Sequence, residues 1–308
     1  MKKINLNVLI SAGFITIFIL ILGVVFFSSN NSAGHKLPIK VVAGENFWGN
    51  LVSQLGGNKV SVTSIVSDPN ADPHEYESNT SNARSFAAAD YVVLNGAGYD
   101  SWANKLLSAN PSSSRKVLTI ATLIGKKDGD NPHFWYSPTY VNESISQMKA
   151  DLIKLDPKDA GYFNQQYIAL QKSLSGYQNR IKSIKDKYQS TKVAATEDIF
   201  AYLAEASGLN LISPPPFIQA VAEGNDPPAD SVVLFQQQLQ SNEPKVLVYN
   251  EQTVTPLTNN IKQLAAQQNI PIVGVTETIQ PPDTSFQDWM NSELINLENA
   301  LNAQALGR

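Results

Sequence analysis

The sequence predicts an α/β fold in which two lobes of parallel (βα) sheet are joined by a long, rigid bridging helix. Three observations predict it. Short apolar runs alternate with amphipathic segments from Ile39 to Ala121 and again from Lys192 to Asn302, the pattern of right-handed crossover units. Between the two series lies a helical pattern of about thirty residues, roughly 45 Å of helix and longer than a crossover unit needs. The composition, 43% hydrophobic and 16% charged, suits a chain that fills two cores.

The chain opens with "MKKINLN" and an uncharged, mostly apolar run from Val8 to Phe27. About twenty such residues span a bilayer core as a helix. Lys2 and Lys3 keep the N-terminus in the cytoplasm and send the rest outward. A cleaved signal peptide has a shorter apolar region, although "SSNNSAG" offers small residues for a cleavage site. Residues 1–37 are therefore expected to form a cytoplasmic stub, a transmembrane anchor or signal segment, and a spacer holding His35. The expected location is extracytoplasmic, attached to the cell membrane by this segment, or secreted if the segment is cleaved.

The first lobe is expected over residues 38–155. "IKVVAGENFWGNLVSQLGG" reads as strand, turn and helix, and "KVSVTSIVS" as a second strand entering a loop. "NTSNARSFAAA", "DYVVLNG", "YDSWANKLLSAN" and "KVLTIA" continue the alternation, and a helix runs from Pro138 to Leu155. The bridging helix occupies 156–190, with Asp156 as N-cap, Pro157 at its first position and an apolar stripe reaching Tyr188. The stripe keeps no clean heptad, which argues against a coiled coil. The second lobe, 191–308, alternates again, and "NLISPPPFIQAV" reads as a strand leading into a proline-broken loop.

A formal net charge of −4 gives no basic field to collect phosphates, which excludes nucleic acid as a partner and suits a cation. With no cysteine there is no disulfide, no thiolate site and no cysteine nucleophile. Any metal must be held by nitrogen and oxygen. Parallel sheets place ligands at the carboxyl ends of their strands, and four loops there carry candidate ligands. His74 in "ADPHEYE" follows the second strand, and His133 in "NPHFWYSP" follows "KVLTIA". Two of the chain's three histidines thus share one frame, Asp72-Pro73-His74 and Asn131-Pro132-His133. The proline biases the residue before it toward extended backbone and so helps to aim the imidazole. In the second lobe Glu197 follows "KVAAT" and Glu277 ends "IPIVGVT". Two imidazoles and two carboxylates from four loops can enclose one cation in a cleft between the lobes. Asp198 and Glu251 are rivals at their own loops, and Glu45 in "GENFWG" is either a helix-start carboxylate or a contributor to the site. Trp48, Trp135 and Tyr136 are expected to pack around the cleft.

These motifs resemble the substrate-binding proteins of zinc and manganese ABC importers, a family that includes streptococcal surface adhesins. The resemblance runs from about Lys40 to Asn302, on "GENFWGNLVSQLGG", "DPHEYE", "NPHFWYSP", the long helix, "TEDIFAYLAEASGL", "VLVYNEQT" and "IPIVGVTETI". It implies His74, His133, Glu197 and Glu277 as metal ligands, Zn2+ or Mn2+ as transported substrate, and an ABC permease as partner of a monomeric carrier. Family members that resemble zinc carriers have histidine at the third position and a histidine-rich loop before the second ligand. Here Glu197 and "GKKDGDN" stand there, which leaves zinc and manganese both open. Gram-positive members carry a lipid-modified cysteine, whose place Val8–Phe27 must take in this cysteine-free chain.

Two other classes compete with capture and delivery. A surface adhesion protein of the same fold is one. A mononuclear metal hydrolase is the other, but "HEYE" is not the His-Glu-x-x-His pattern and no Gly-x-Ser-x-Gly elbow occurs, so the chain is expected not to be an enzyme.

Overall fold

A computed structural model describes residues 38–68 and 76–306. The apolar run Val8–Phe27, His35 and His74 lie outside the described residues. In the first lobe, β1 (Ile39–Glu45), α1 (Asn46–Gly56), β2 (Val60–Val66), α2 (Thr80–Ala88), β3 (Tyr91–Leu94), α3 (Ser101–Ala109) and β4 (Lys116–Thr119) alternate along the chain. The strands form a parallel sheet in the order β2-β1-β3-β4. Buried residues run without a break from Val41 to Glu45, as expected of a strand covered on both faces. Gly49 lets α1 ride close on this sheet, since a Cβ there would meet Ser64 Oγ at 2.1 Å and the Ala43 Cβ at 3.3 Å. Asn79 starts α2 by accepting from the N–H groups of Ser81 and Asn82.

β4 stops at Thr119, two residues short of the expected strand end, because Ile120 and Ala121 turn into the short helix α4 (Ile120–Leu123). The N–H of Ala121 donates to the Asn95 carbonyl at 2.8 Å and fixes this turn. A 3-10 turn, Phe134–Tyr136, then leads into α5 (Pro138–Leu155), begun by Ser137 as N-cap. The bridging helix α6 (Ala160–Tyr188) has 29 residues, about 44 Å of helix. It starts later than Asp156, because Pro157–Asp159 forms a 3-10 turn and the Asp159 carboxylate pairs with Lys59 Nζ at 2.7 Å.

In the second lobe β5 (Lys192–Ala195), α7 (Ala201–Ala206), β6 (Asn210–Leu211), α8 (Pro215–Ala222) and α9 (Ala229–Gln240) come first. They are followed by β7 (Leu247–Asn250), α10 (Pro256–Gln267), β8 (Ile272–Val275) and α11 (Phe286–Leu306). The sheet order is β6-β5-β7-β8, all parallel. "PPFIQAVA" forms α8 where a broken loop was expected: proline fits the first helical turn, where an N–H would have no partner.

One buried cluster runs through both lobes, beside a smaller cluster within each. The shared cluster includes Val41, Trp135, Leu174, Val193, Val248 and Leu297. α6 supplies Phe163, Leu170, Leu174, Tyr177, Ile181 and Ile184 to its buried face, and Arg180 reaches α11 at Asn291 (2.8 Å) and Glu298 (2.7 Å). α1 reaches the segment after β8 through Asn46 Oδ1, which accepts from the Ile279 N–H at 3.1 Å, and Asn50 Oδ1, which accepts from that of Phe286 at 3.0 Å. Leu174→Ala leaves a cavity where α6 joins this core and is expected to cost about 3 kcal/mol, read as a lower urea midpoint at unchanged slope.

Candidate metal centre

Each sheet reverses its strand order between two central strands, and the crevice at that switch point is where such folds hold ligands. In the first sheet the switch lies between β1 and β3, and in the second between β5 and β7. Glu197 leaves the second switch point after β5, while His133 comes from the segment after β4 and α4 and Glu277 from the loop after β8, the edge strands next to the switch points. His133, Glu197 and Glu277 each offer a ligand atom within 4.8 Å of the others, and their exposures are 0%, 1% and 0%. The fourth expected ligand, His74, follows β2 in the sequence and lies outside the described residues.

His133 is held from several sides. Asn131 Oδ1 accepts from its backbone N–H at 2.9 Å and lies 2.9 Å from Nδ1, while Asp198 Oδ1 approaches Nδ1 at 3.1 Å. Nε2 faces Glu277 Oε2 at 4.0 Å. The Trp135 ring stands edge-on to the imidazole at 5.2 Å and stacks on Phe47 at 4.0 Å. Trp48 is one layer back: its Nε1 donates to Asn95 Oδ1 at 3.0 Å, and Asn95 Nδ2 donates to the Pro132 carbonyl at 2.9 Å. The Tyr136 hydroxyl donates to the Thr276 carbonyl at 2.9 Å, next to Glu277.

The two carboxylates are knit together by Asn250, the last residue of β7. Its Nδ2 donates to Glu197 Oε1 and, at 2.7 Å, to Glu277 Oε1. Tyr99 donates its hydroxyl to Glu277 Oε2 at 2.7 Å, and Gln252 Oε1 accepts from the Glu277 N–H at 2.5 Å. Burial pushes the Glu197 carboxyl well above its usual range, and Glu277 and Asp198 push it further. A buried pair of like charges stores repulsion that a divalent cation cancels.

The rivals are placed elsewhere or differently. Glu251 is exposed and lies over Gly274. Asp198 touches the far nitrogen of His133. Glu45 is buried at the end of β1, with its carboxyl raised by burial and then by Asp100. Glu45 is not among the three residues whose ligand atoms converge. Asn250, Tyr99 and Gln252 were not singled out from the sequence. Asn250 was findable, because it ends the strand at the second switch point.

The spacing of His133 and Glu277 fits two ligands of one cation. Ligands bound at about 2.0–2.2 Å must approach one another within about 4.4 Å, and the 4.0 Å between His133 and Glu277 meets that limit. Tyr99→Phe removes a donor that orients Glu277 and is expected to weaken metal binding roughly tenfold in a chelator competition, with little change in the fold.

Fold and donor set define a two-lobed metal-binding protein. The model of the family "ZnuA: Zinc-uptake complex component A periplasmic" matches residues 41–300, and the chain belongs to that family. It is 25% identical over 182 residues to the manganese-binding lipoprotein MntA of Halalkalibacterium halodurans, covering 56% of this chain and 59% of that one. It is also 25% identical over 292 residues to the metal ABC transporter substrate-binding lipoprotein FimA of Streptococcus parasanguinis, covering 88% of each. The fold matches the Mn-bound periplasmic metal binding protein of Candidatus Liberibacter asiaticus with a TM-score of 0.70 at 19% identity, over 85% of this chain and 99% of that one.

Proposed function

We propose that the chain captures a divalent transition-metal ion, zinc or manganese, outside the cytoplasmic membrane and delivers it to the permease of an ABC importer. The observation that carries this reading is the convergence of His133, Glu197 and Glu277 at the facing strand ends of both lobes, all buried. These three and His74 are the proposed ligands. A set of one or two imidazoles with two carboxylates is hard enough for manganese and able to hold zinc. The role is binding without turnover: the acids that converge are already tied up by Asn250, Tyr99 and Thr253.

The run Val8–Phe27 is proposed to hold a monomeric protein at the membrane, since this chain has no cysteine for a lipid anchor. Among the described residues no helix is long and apolar enough to cross a membrane.

Native mass spectrometry of the purified protein, alone and after incubation with Zn2+ or Mn2+, tests capture. One equivalent bound by the parent and little by a His74→Ala, His133→Ala variant is the expected result. A parent that takes up neither ion would end the carrier reading. Deletion should also give a growth defect that added metal reverses; a defect indifferent to metal would favour adhesion.

A further inference from the structure

We propose that Asp198 and Asn131 form a clasp between the lobes that orients His133 toward the ion and ties its release to lobe separation. The inference rests on the carrier reading above. His133 and Asn131 belong to the loop that follows α4 in the first lobe, and Asp198 begins the 3-10 turn that follows β5 in the second. Nδ1 of His133 lies between Asn131 Oδ1 at 2.9 Å and Asp198 Oδ1 at 3.1 Å. Asn131 Oδ1 is the hydrogen-bond partner of Nδ1, and an amide oxygen only accepts, so Nδ1 carries the hydrogen and Asp198 Oδ1 stands close behind it. Nε2 therefore turns its lone pair toward Glu277, 4.0 Å away. A divalent ion needs this tautomer, and metal-bound histidines commonly have it fixed by an acceptor behind the ring.

The clasp is reciprocal. Asn131 Nδ2 donates to the Asp198 carbonyl at 2.7 Å, and the Tyr202 hydroxyl donates to the Asn131 carbonyl at 2.9 Å. Three contacts around one imidazole thus join elements of different sheets. Asn131 and Asp198 also line a cavity of about 800 Å³ whose wall includes Gly98, Gly129 and Gly224, and neither Glu197 nor Glu277 lines it. Parting the lobes at this cavity removes Asp198 from Nδ1 and unties Asn131. Nδ1 then keeps only Asn131 Oδ1 behind it, on an Asn131 side chain that has lost its own anchor at the Asp198 carbonyl, so the imidazole is held less firmly toward the ion and affinity falls. Asp198 and Asn131 are positioning residues; they do not bind the ion themselves.

The test uses the full chain with 15N-labelled histidine, whose three imidazoles make a simple spectrum. Long-range 15N–1H correlation of the metal-free protein, with His133 assigned by His133→Gln, is expected to show hydrogen on Nδ1. Competition with a chelator then gives Zn2+ and Mn2+ affinities for the parent, Asp198→Ala, Asp198→Asn and Asn131→Ala. Loss of roughly 10–100-fold is expected for the alanine variants, mostly as faster dissociation, with a smaller loss for Asp198→Asn. The alanine variants should also move His133 hydrogen toward Nε2 at nearly unchanged thermal unfolding. Parent-like affinity in all three variants, or an Nε2-protonated His133 in the parent, overturns the clasp and leaves the carrier reading standing. A parent that binds neither ion overturns the carrier reading, and the tautomer in parent and variants still decides whether Asp198 and Asn131 orient the ring.

Discussion

Glu197→Gln is expected to stabilise the metal-free protein while weakening metal binding by roughly 100-fold or more. Both effects come from one arrangement. Glu197 is buried beside Glu277 and Asp198, and its carboxyl is pushed up first by burial and next by Glu277. Near neutral pH the metal-free protein pays for each negative charge it keeps there. A glutamine of the same shape still accepts from Asn250 Nδ2 through its Oε1, so the hydrogen bond survives and the repulsion goes. The thermal midpoint in EDTA should rise by a few degrees, and the added stability from saturating Zn2+ or Mn2+ should largely vanish. A metal-free midpoint below that of the parent would show that the acid pair costs the fold nothing.

Stability of the metal-free protein is expected to fall as pH rises from about 5 to about 8. Asp100 is raised to about 6 by burial, against the pull of the Asn95 and Gly96 amides. Glu293 is raised to about 8 by burial, although Tyr136 and the Thr276 N–H donate to it. Glu45 and Glu197 are raised in the same direction. The unfolded carboxyls titrate near 4, so between that pH and the folded values the native state holds more protons than the unfolded state. Their contribution is fully present below the unfolded values and is lost as pH rises through about 6 for Asp100 and about 8 for Glu293. Carboxyls lowered by ion pairing, such as Glu298 beside Lys187 and Arg180, oppose this trend from a more exposed and better screened position.

Metal binding should run the other way. The ligands must lose their protons to bind, so affinity rises with pH over the same window. Urea unfolding in EDTA at a series of pH values, repeated with saturating metal, should give two curves of opposite slope. A flat or rising metal-free curve would mean that these acids are solvated in the native state.

Much of this was legible in the amino-acid sequence because local rules dominate there. Alternating apolar runs determined two parallel sheets, and the unbroken stripe from Phe163 to Ile184 determined the bridging helix. The Pro-His frame and the strand-end positions of Glu197 and Glu277 determined which loops to inspect. The tertiary structure decided what depends on contacts between distant segments. Asn250 lies between two carboxylates that are 80 positions apart in the chain, Glu197 and Glu277. Tyr99 reaches Glu277 over 178 positions. Where Asp198 would point was undecidable from "TED", since adjacent side chains leave the backbone in different directions and only the packing of the other lobe brings Asp198 Oδ1 to 3.1 Å from His133 Nδ1. The start of α6 and the helix formed by "PPFIQAVA" were likewise tertiary decisions: a distant lysine claims Asp159, and burial of Phe217, Ile218 and Val221 in the second lobe's core rewards helix over loop.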